Sequence, residues 1–320
     1  MNWQVPSDAF GELRVSNALL ADREALQAAW AADGYWFFRG VLDVPTLERF
    51  REIYLEQLVE GGWIAPGDAE ARYTGKSLAD FPGRMEPLVE RRPAPWRDFV
   101  RQPPIDSFFR ELLGDAPYWI PNTDYRATPP TTDASERFTV VHQDGFYNDG
   151  IEFLTCWIPL SRITPDIGGL SVAEAQHHSG YLHDLSQPPA FPVPTTAVPP
   201  TSWRRTTYEL GDLVVFHPAT PHTGWTNLSD RFRLSLDVRV MRSSAHRPII
   251  GVIVSVASGE IAVEQDDGGL VALRFDETTY CRGVDARRVP HDRIASVFLP
   301  GQHVIISHQG GLARNLRHSH

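Results

Sequence analysis

The chain of 320 residues reads as a mainly β protein with flanking helices: a sandwich or jelly roll, with a small barrel behind it. Three observations carry that expectation. Helical periodicity is strongest in the first sixty residues. From about Trp119 short β-type runs follow one another with no helix between them. After "HRP" at 246–248 a second β-rich section begins.

Near the N-terminus, Leu26, Ala29 and Trp30 stand at helical spacing and Gly34 stops the helix, so "YWFF" follows as a strand. Asp43 is placed to cap a second helix with Pro45 in its first turn, burying Leu47, Phe50, Tyr54 and Leu58. Residues 61–105 are rich in Gly, Pro and Arg and read as loops and short helices covering a site. The runs "RFTVVHQD", "EFLTCWIPL", "TTYEL", "DLVVFH" and "RFRLSLDVRV" read as strands between turn residues. The proline-dense "LSQPPAFPVPTTAVPPTSW" is loop. Beyond residue 245, "IIGVIVSVASGEIAVEQDDGGLVALRF" and "ASVFLPGQHVIIS" suit a small OB-like or SH3-like barrel, with "DDGG" as a hairpin turn. The expected domains are therefore 1–245 and 246–320.

Composition narrows the function. Hydrophobic residues at 42% and charged residues at 22% are ordinary for a soluble globular protein. A net charge of -10 argues against nucleic acid or an anionic membrane as partner. The C-terminal section carries eight arginines against eight acidic residues, with no basic cluster for nucleic acid. No apolar run approaches a membrane span, and the first fifteen residues lack the pattern of a signal peptide. With only Cys156 and Cys281, reduced thiols in a cytoplasm are the expectation.

The chemistry centres on "VVHQDGFYNDG". His142 and Asp144 stand two apart in a strand-like run, so both side chains would point one way. Such a pair is weak evidence alone. A second stretch, "GDLVVFHPATPHTGWTNLSDRFRLSLDVRV", offers His217 and His222 as a third ligand. Two histidines and one carboxylate on one face of Fe(II) leave positions open for an oxidant and O2. Eleven residues after His222 comes Arg233, with Ser235 two further on; eleven after His217 comes Leu228. Arg233 and Ser235 on one strand face can hold a carboxylate together, which selects His222.

The run His142-x-Asp144, His222, Arg233-x-Ser235 resembles the Fe(II)/2-oxoglutarate-dependent oxygenases of the phytanoyl-CoA dioxygenase-like family. "DGYWFFRGVLDVPTLERFREIY", "TCWIPLSRITPDIGGLSV" and "VVFHPATPHTGWTNLSDRFRLSL" are similar to that family's opening, central and closing segments, covering about residues 20–242. The resemblance implies a double-stranded β-helix, the cupin-like jelly roll. It implies Fe(II) held by His142, Asp144 and His222, and 2-oxoglutarate with its far carboxylate on Arg233 and Ser235. It also places Thr155 and Trp157 beside the cosubstrate, whereas Cys156 faces the core. The implied activity is O2-dependent oxidation of an unactivated C–H bond of a small organic molecule, as in secondary metabolism.

The sequence departs from the family at "EAQHH", which replaces its usual P-G-S-H, and at "DYRATPP", where Arg126 stands in for a lysine. Arg126, Tyr147 and Trp225 are the expected substrate contacts. His177, His178 and His183 fit no zinc spacing and read as a solvated loop, and His217 as a core histidine. The arginine pairs at 91–92 and 204–205 read as solvated. Two other readings compete: a cupin-type metal enzyme without 2-oxoglutarate, and a jelly-roll binding protein without turnover. For residues 246–320 the expectation is homo-oligomerisation or substrate presentation.

Overall fold

In the computed structural model, the described residues are 10–82, 85, 88, 94–131, 139–148, 150–187, 190–257, 259–266, 268–283 and 288–319. The chain runs through β1 (Gly11–Glu12), α1 (Arg23–Asp33), β2 (Tyr35–Phe38), α2 (Val44–Glu60), α3 (Pro95–Val100), α4 (Pro103–Leu113) and β3 (Pro117–Thr128). One helical turn, α5 (Asp144–Tyr147), precedes β4 (Leu154–Pro159), β5 (Gly169–Ala173), β6 (Trp203–Arg205), β7 (Leu213–Phe216), β8 (His222–Trp225) and β9 (Arg233–Arg242). The remainder holds β10 (Ile249–Ala257), β11 (Glu260–Gln265), β12 (Leu270–Arg274), β13 (Tyr280–Arg282), α6 (Ile294–Val297), β14 (His303–Gln309) and β15 (Leu312–His318).

The opening elements form where local chemistry directs them. Gly34 ends α1 with φ 77°, a left-handed conformation that suits a residue without Cβ. Asp43 caps α2 by accepting from the Thr46 amide at 2.9 Å, and Pro45 occupies the first turn. Leu47, Phe50, Tyr54 and Leu58 are all buried, as their spacing predicts.

Two sheets make the main body. One has the order β2-β7-β4-β9-β3, the other β1-β6-β5-β8. On the five-stranded sheet, alternation separates two environments. Cys156 and Ile158 of β4, Val215 of β7 and Leu234, Leu236 and Val238 of β9 join the helices in one apolar core. Trp157, Val214 and Phe216 point the other way and meet Leu170 and Val172 of the second sheet. The space between the sheets is where the site lies.

Three expected strands come out differently. "RFTVVHQD" forms no strand among its described residues. His142 makes one isolated bridge, to His222, and Asp144 opens α5. The surrounding groups bond to loops: the Gly145 amide donates to Pro218 O at 2.8 Å, and Gln143 Nε2 donates to Gly180 O at 2.8 Å and Ala219 O at 2.7 Å. "TTYEL" contributes one bridge, between Tyr208 and Ile163. Of "ASVF", residues 295–297 are helical, within α6, and only Phe298, its C-cap, is extended. The arginines at 91–92 lie outside the described residues.

The C-terminal section is a six-stranded sheet of order β12-β11-β10-β14-β15-β13, with a further parallel bridge from Arg274 of β12 to Leu312 of β15. It has its own apolar core, including Ile253, Ile261, Phe298 and Leu316. A separate apolar seam joins Ile120, Ile151, Phe153 and Met241 to Ile250 and Ile305. That seam fixes the C-terminal section against the segment that follows α5.

Candidate active site

The bridge between His142 and His222 builds the centre. Each backbone amide donates to the other residue's carbonyl, at 3.1 and 2.9 Å, which sets the two imidazoles side by side with ring centroids 4.2 Å apart. Nδ1 of His142 lies 2.8 Å from Val140 O, and Nδ1 of His222 lies 3.0 Å from Thr220 O. A ring nitrogen bonded to a carbonyl carries the proton, so Nε2 of each ring keeps its lone pair. Those two atoms lie 3.6 and 3.8 Å from Asp144 Oδ1. Ligand atoms of the three residues are all within 4.8 Å of one another, the one such cluster found among the described residues.

The second carboxylate oxygen is already occupied. Asp144 Oδ2 accepts from Thr155 Oγ1 at 2.8 Å and from Arg239 Nη2 at 3.0 Å. One oxygen is therefore tied to the protein and the other is presented to the imidazoles. Burial would raise the Asp144 pKa, but Arg239, His222 and His142 hold it well below the usual carboxylate range. Burial and the adjacent His222 push His142 down to about 4, and burial lowers His222 too. Neutral imidazoles and an ionised carboxylate are the protonation states that bind a metal. The donor set therefore fits Fe(II).

Strand β9 lines the cavity with a polar row. Arg233, Ser235, Asp237 and Arg239 alternate with Leu234, Leu236 and Val238, and all are buried. Arg233 Nη1 donates to Trp225 O at 2.9 Å and reaches Gly169 O at 3.5 Å. Burial, then the charge of Arg126, pushes Arg233 down to about 9. An arriving carboxylate would offset that depression. Ser235 Oγ is buried with no hydrogen-bond partner among the described residues. A guanidinium and an unsatisfied hydroxyl on one strand face fit a carboxylate.

Arg126, on β3 opposite Ser235, lines the same cavity. Its Nε donates to Asp237 Oδ2 at 2.5 Å and its Nη2 to Asp124 Oδ2 at 3.2 Å. Burial opposes its charge, yet Asp237 and Asp124 hold its pKa above the ordinary value. Burial lifts the Asp237 carboxyl and Arg126 opposes that; the 2.5 Å contact is that of an ion pair.

The expected residues separate into three groups. His142, Asp144, His222, Thr155, Trp157, Arg233 and Arg126 border one cavity, and Ser235 shares its strand face. Thr155, expected beside the cosubstrate, lines this cavity and donates to the Asp144 carboxylate. Tyr147 flanks the centre, its ring 6.2 Å from that of His142 and its hydroxyl donating to Ala190 O. Trp225 is not brought to the cavity. Its indole donates to Ser171 Oγ at 2.6 Å and packs on Phe10, because His222 and Gly224 take the inward positions of β8. What Trp225 gives the site is its backbone carbonyl.

His183 leaves the expected histidine cluster: it stacks on Phe146 at 3.9 Å and accepts from the Gln143 amide at 3.1 Å. His177 and His178 lie instead beside His217. Asp237, Arg239 and the Gly168–Gly169 turn were not expected at the site. Their signal was present, since Asp237 and Arg239 continue the spacing of Arg233 and Ser235.

Comparison with known proteins gives a consistent set. A family model described as phytanoyl-CoA dioxygenase (PhyH) matches residues 30–235. The 1-deoxypentalenic acid 11-beta-hydroxylase of Streptomyces arenae is 28% identical over 255 residues, covering 75% of this chain and 89% of the relative. Its namesake from Streptomyces exfoliatus is 29% identical over 244 residues, covering 72% and 84%. Among solved structures, EvdO2 from Micromonospora carbonacea var. aurantiaca with 2-oxoglutarate aligns over 71% of this chain and 95% of its own, at 21% identity and TM-score 0.49.

Proposed function

Since the chain belongs to the phytanoyl-CoA dioxygenase (PhyH) family, we propose that it is an Fe(II)- and 2-oxoglutarate-dependent oxygenase. Its reaction is oxidation of an unactivated C–H bond of a small organic molecule, with hydroxylation as the outcome. The named relatives, both hydroxylases, support that outcome and a role in secondary metabolism. The observation that carries the reading is the convergence of His142 Nε2, His222 Nε2 and Asp144 Oδ1 while each ligand's other polar atom is engaged.

When bound, Fe(II) with 2-oxoglutarate supplies O2 activation, coupled to release of succinate and CO2. The chain's residues arrange this chemistry. His142, Asp144 and His222 would hold the metal. Arg239 and Thr155 orient the carboxylate. Arg233 and Ser235 bind the cosubstrate's far carboxylate, with Trp157 along its side. The apolar core between the sheets keeps water from the cosubstrate end.

The test is substrate-dependent formation of succinate from 2-oxoglutarate under O2, together with anaerobic 2-oxoglutarate titration of the Fe(II) protein. Arg233→Met should weaken cosubstrate binding by about 3–5 kcal/mol, the cost of breaking a buried charge pair. Metal-dependent turnover without succinate would instead favour the cupin-type alternative. Iron retention without oxygen uptake would favour a binding protein.

Residues 1–245 form the oxygenase domain in this reading, and 246–320 an accessory unit whose β12–β15 bridge supports a barrel. Exposed Val252, Val254 and Leu270 support self-association through that unit, which solution mass would test. No described helix is long and apolar enough to cross a membrane. The buried free thiols of Cys156 and Cys281 support a cytoplasmic setting.

A further inference from the structure

Arg282 and Arg317 belong to the C-terminal section, outside the residues the family model matches. Arg282 of β13 and Arg317 of β15 are register partners in a parallel pair, so both side chains leave the sheet on one face. Like charges set opposite each other across strands are destabilising. Arg282 lies over the ring of Tyr147, its guanidinium carbon 4.4 Å from the centroid. Tyr147 in turn neighbours the imidazole of His142.

Arg317 is the sharper observation. Its Nε is buried with no hydrogen-bond partner among the described residues, while the residue as a whole is half-buried. Burial, then Arg239 and Arg282, pushes its pKa down to about 9, while Asp144 and Asp124 pull it back. Arg317 shares a sheet face with Arg282, which covers the Tyr147 ring, and so lies on the Tyr147 side of the centre. The wall that carries it is fixed. A Cβ on Gly150, three residues past Tyr147, would lie 2.8 Å from Ser307 Oγ, and the apolar seam of Ile151, Phe153 and Ile305 holds the two parts together.

A guanidinium with a buried, unpartnered Nε on a half-buried side chain is short of a hydrogen bond, and an oxyanion matches its planar donors. We propose that Arg317, assisted by Arg282, binds an oxyanion group of the substrate, a carboxylate or a phosphate ester, on the Tyr147 side of the metal centre. The C-terminal section thus selects which molecules present a C–H bond to the metal. This rests on the oxygenase reading for its consequence, though the anion site can be measured without turnover.

The experiment is a thermal-shift titration of the full-length protein, loaded anaerobically with Fe(II) and 2-oxoglutarate. Benzoate and inorganic phosphate are the probes, against chloride at matched ionic strength. The expected result is a melting temperature that rises with one oxyanion beyond chloride. Arg317→Met should weaken the apparent affinity at least tenfold, and Arg317→Lys should restore part of it. The stronger probe distinguishes a carboxylate from a phosphate ester. If neither oxyanion exceeds chloride, or the Met and Lys variants respond like wild type, the proposal is overturned. Should Arg317→Met fail to fold, Arg317→Lys and Arg282→Gln carry the same comparison. Wild-type 2-oxoglutarate affinity, measured in parallel, tests the oxygenase reading separately.

Discussion

Thr155→Val isolates the work of one hydroxyl. The Thr155 side chain is buried, and its Oγ1 donates to Asp144 Oδ2 at 2.8 Å. Valine keeps the shape and the strand preference but removes the donor. A hydrogen bond to a charged group contributes about 1.5–3 kcal/mol. Arg239 still holds Oδ2 at 3.0 Å, so the carboxylate keeps its charge and loses one of two orienting contacts. Loss of an outer contact of this kind typically lowers metal affinity 10–100-fold. With Arg239 retained we expect the lower end, about tenfold or 1.4 kcal/mol. Anaerobic Fe(II) titration followed by tryptophan fluorescence measures it, with Co(II) as a redox-silent check. The family resemblance puts Thr155 beside the cosubstrate instead. In that case iron affinity would stay constant while the 2-oxoglutarate Kd rises at saturating metal. That result, or no change in either affinity, would refute the positioning role.

Other consequences follow from the same contacts. Gly168 has φ 94°, and a Cβ there would lie 2.6 Å from Trp225 O, the acceptor for Arg233. Gly168→Ala should therefore weaken 2-oxoglutarate binding with little effect on iron affinity, which two separate titrations would compare. Removing residues 247–320 uncovers Ile120, Ile151, Phe153 and Met241, so the truncated chain should aggregate or melt lower; light scattering and calorimetry would show it. Burial, then His178 and His217, pushes His177 from 6.5 down to about 4. The fold favours its neutral form, so stability present above about pH 6.5 is lost as pH falls toward 4. His177→Gln should flatten that part of a melting-temperature profile; an unchanged slope would show that His177 is not its source.

What the sequence disclosed follows the reach of its signals. Gly34, Asp43 and Pro45 act within one turn, so α1, β2 and α2 were readable from neighbours alone. The triad was readable because His142, Asp144, His222 and Arg233 are chemically scarce types at distinctive spacing. The helical turn at Asp144, where a strand was expected, was not, because α5 is set by Pro218 and Ala219, more than 70 residues away. The side chain of Trp225 was legible too: with His222 inward on β8, two-residue alternation turns Thr223 and Trp225 to the other face. Alternation on β9 usually reads as polar-out, whereas here both faces are buried and the polar one lines the site. The arginines of β13 and β15 carry no motif. Only the register of a parallel pair brings them together.

Charge balance explains why that register matters. In formal charge, Arg126, Arg233 and Arg239 offset Asp124, Asp144 and Asp237, and most of these groups are tied by contacts of 3.4 Å or less. A buried network tolerates such pairs when each charge meets an opposite one. A divalent cation and a dianionic cosubstrate would enter together without disturbing the sum. Arg317 stands outside this balance, on the sheet face that it shares with Arg282 beside Tyr147. The loaded site would therefore be positive on the side where substrate arrives. Of two ligands with equal apolar surface, the one bearing an oxyanion there should bind more tightly. Esterifying that group should cost affinity in the wild type and little in Arg317→Met.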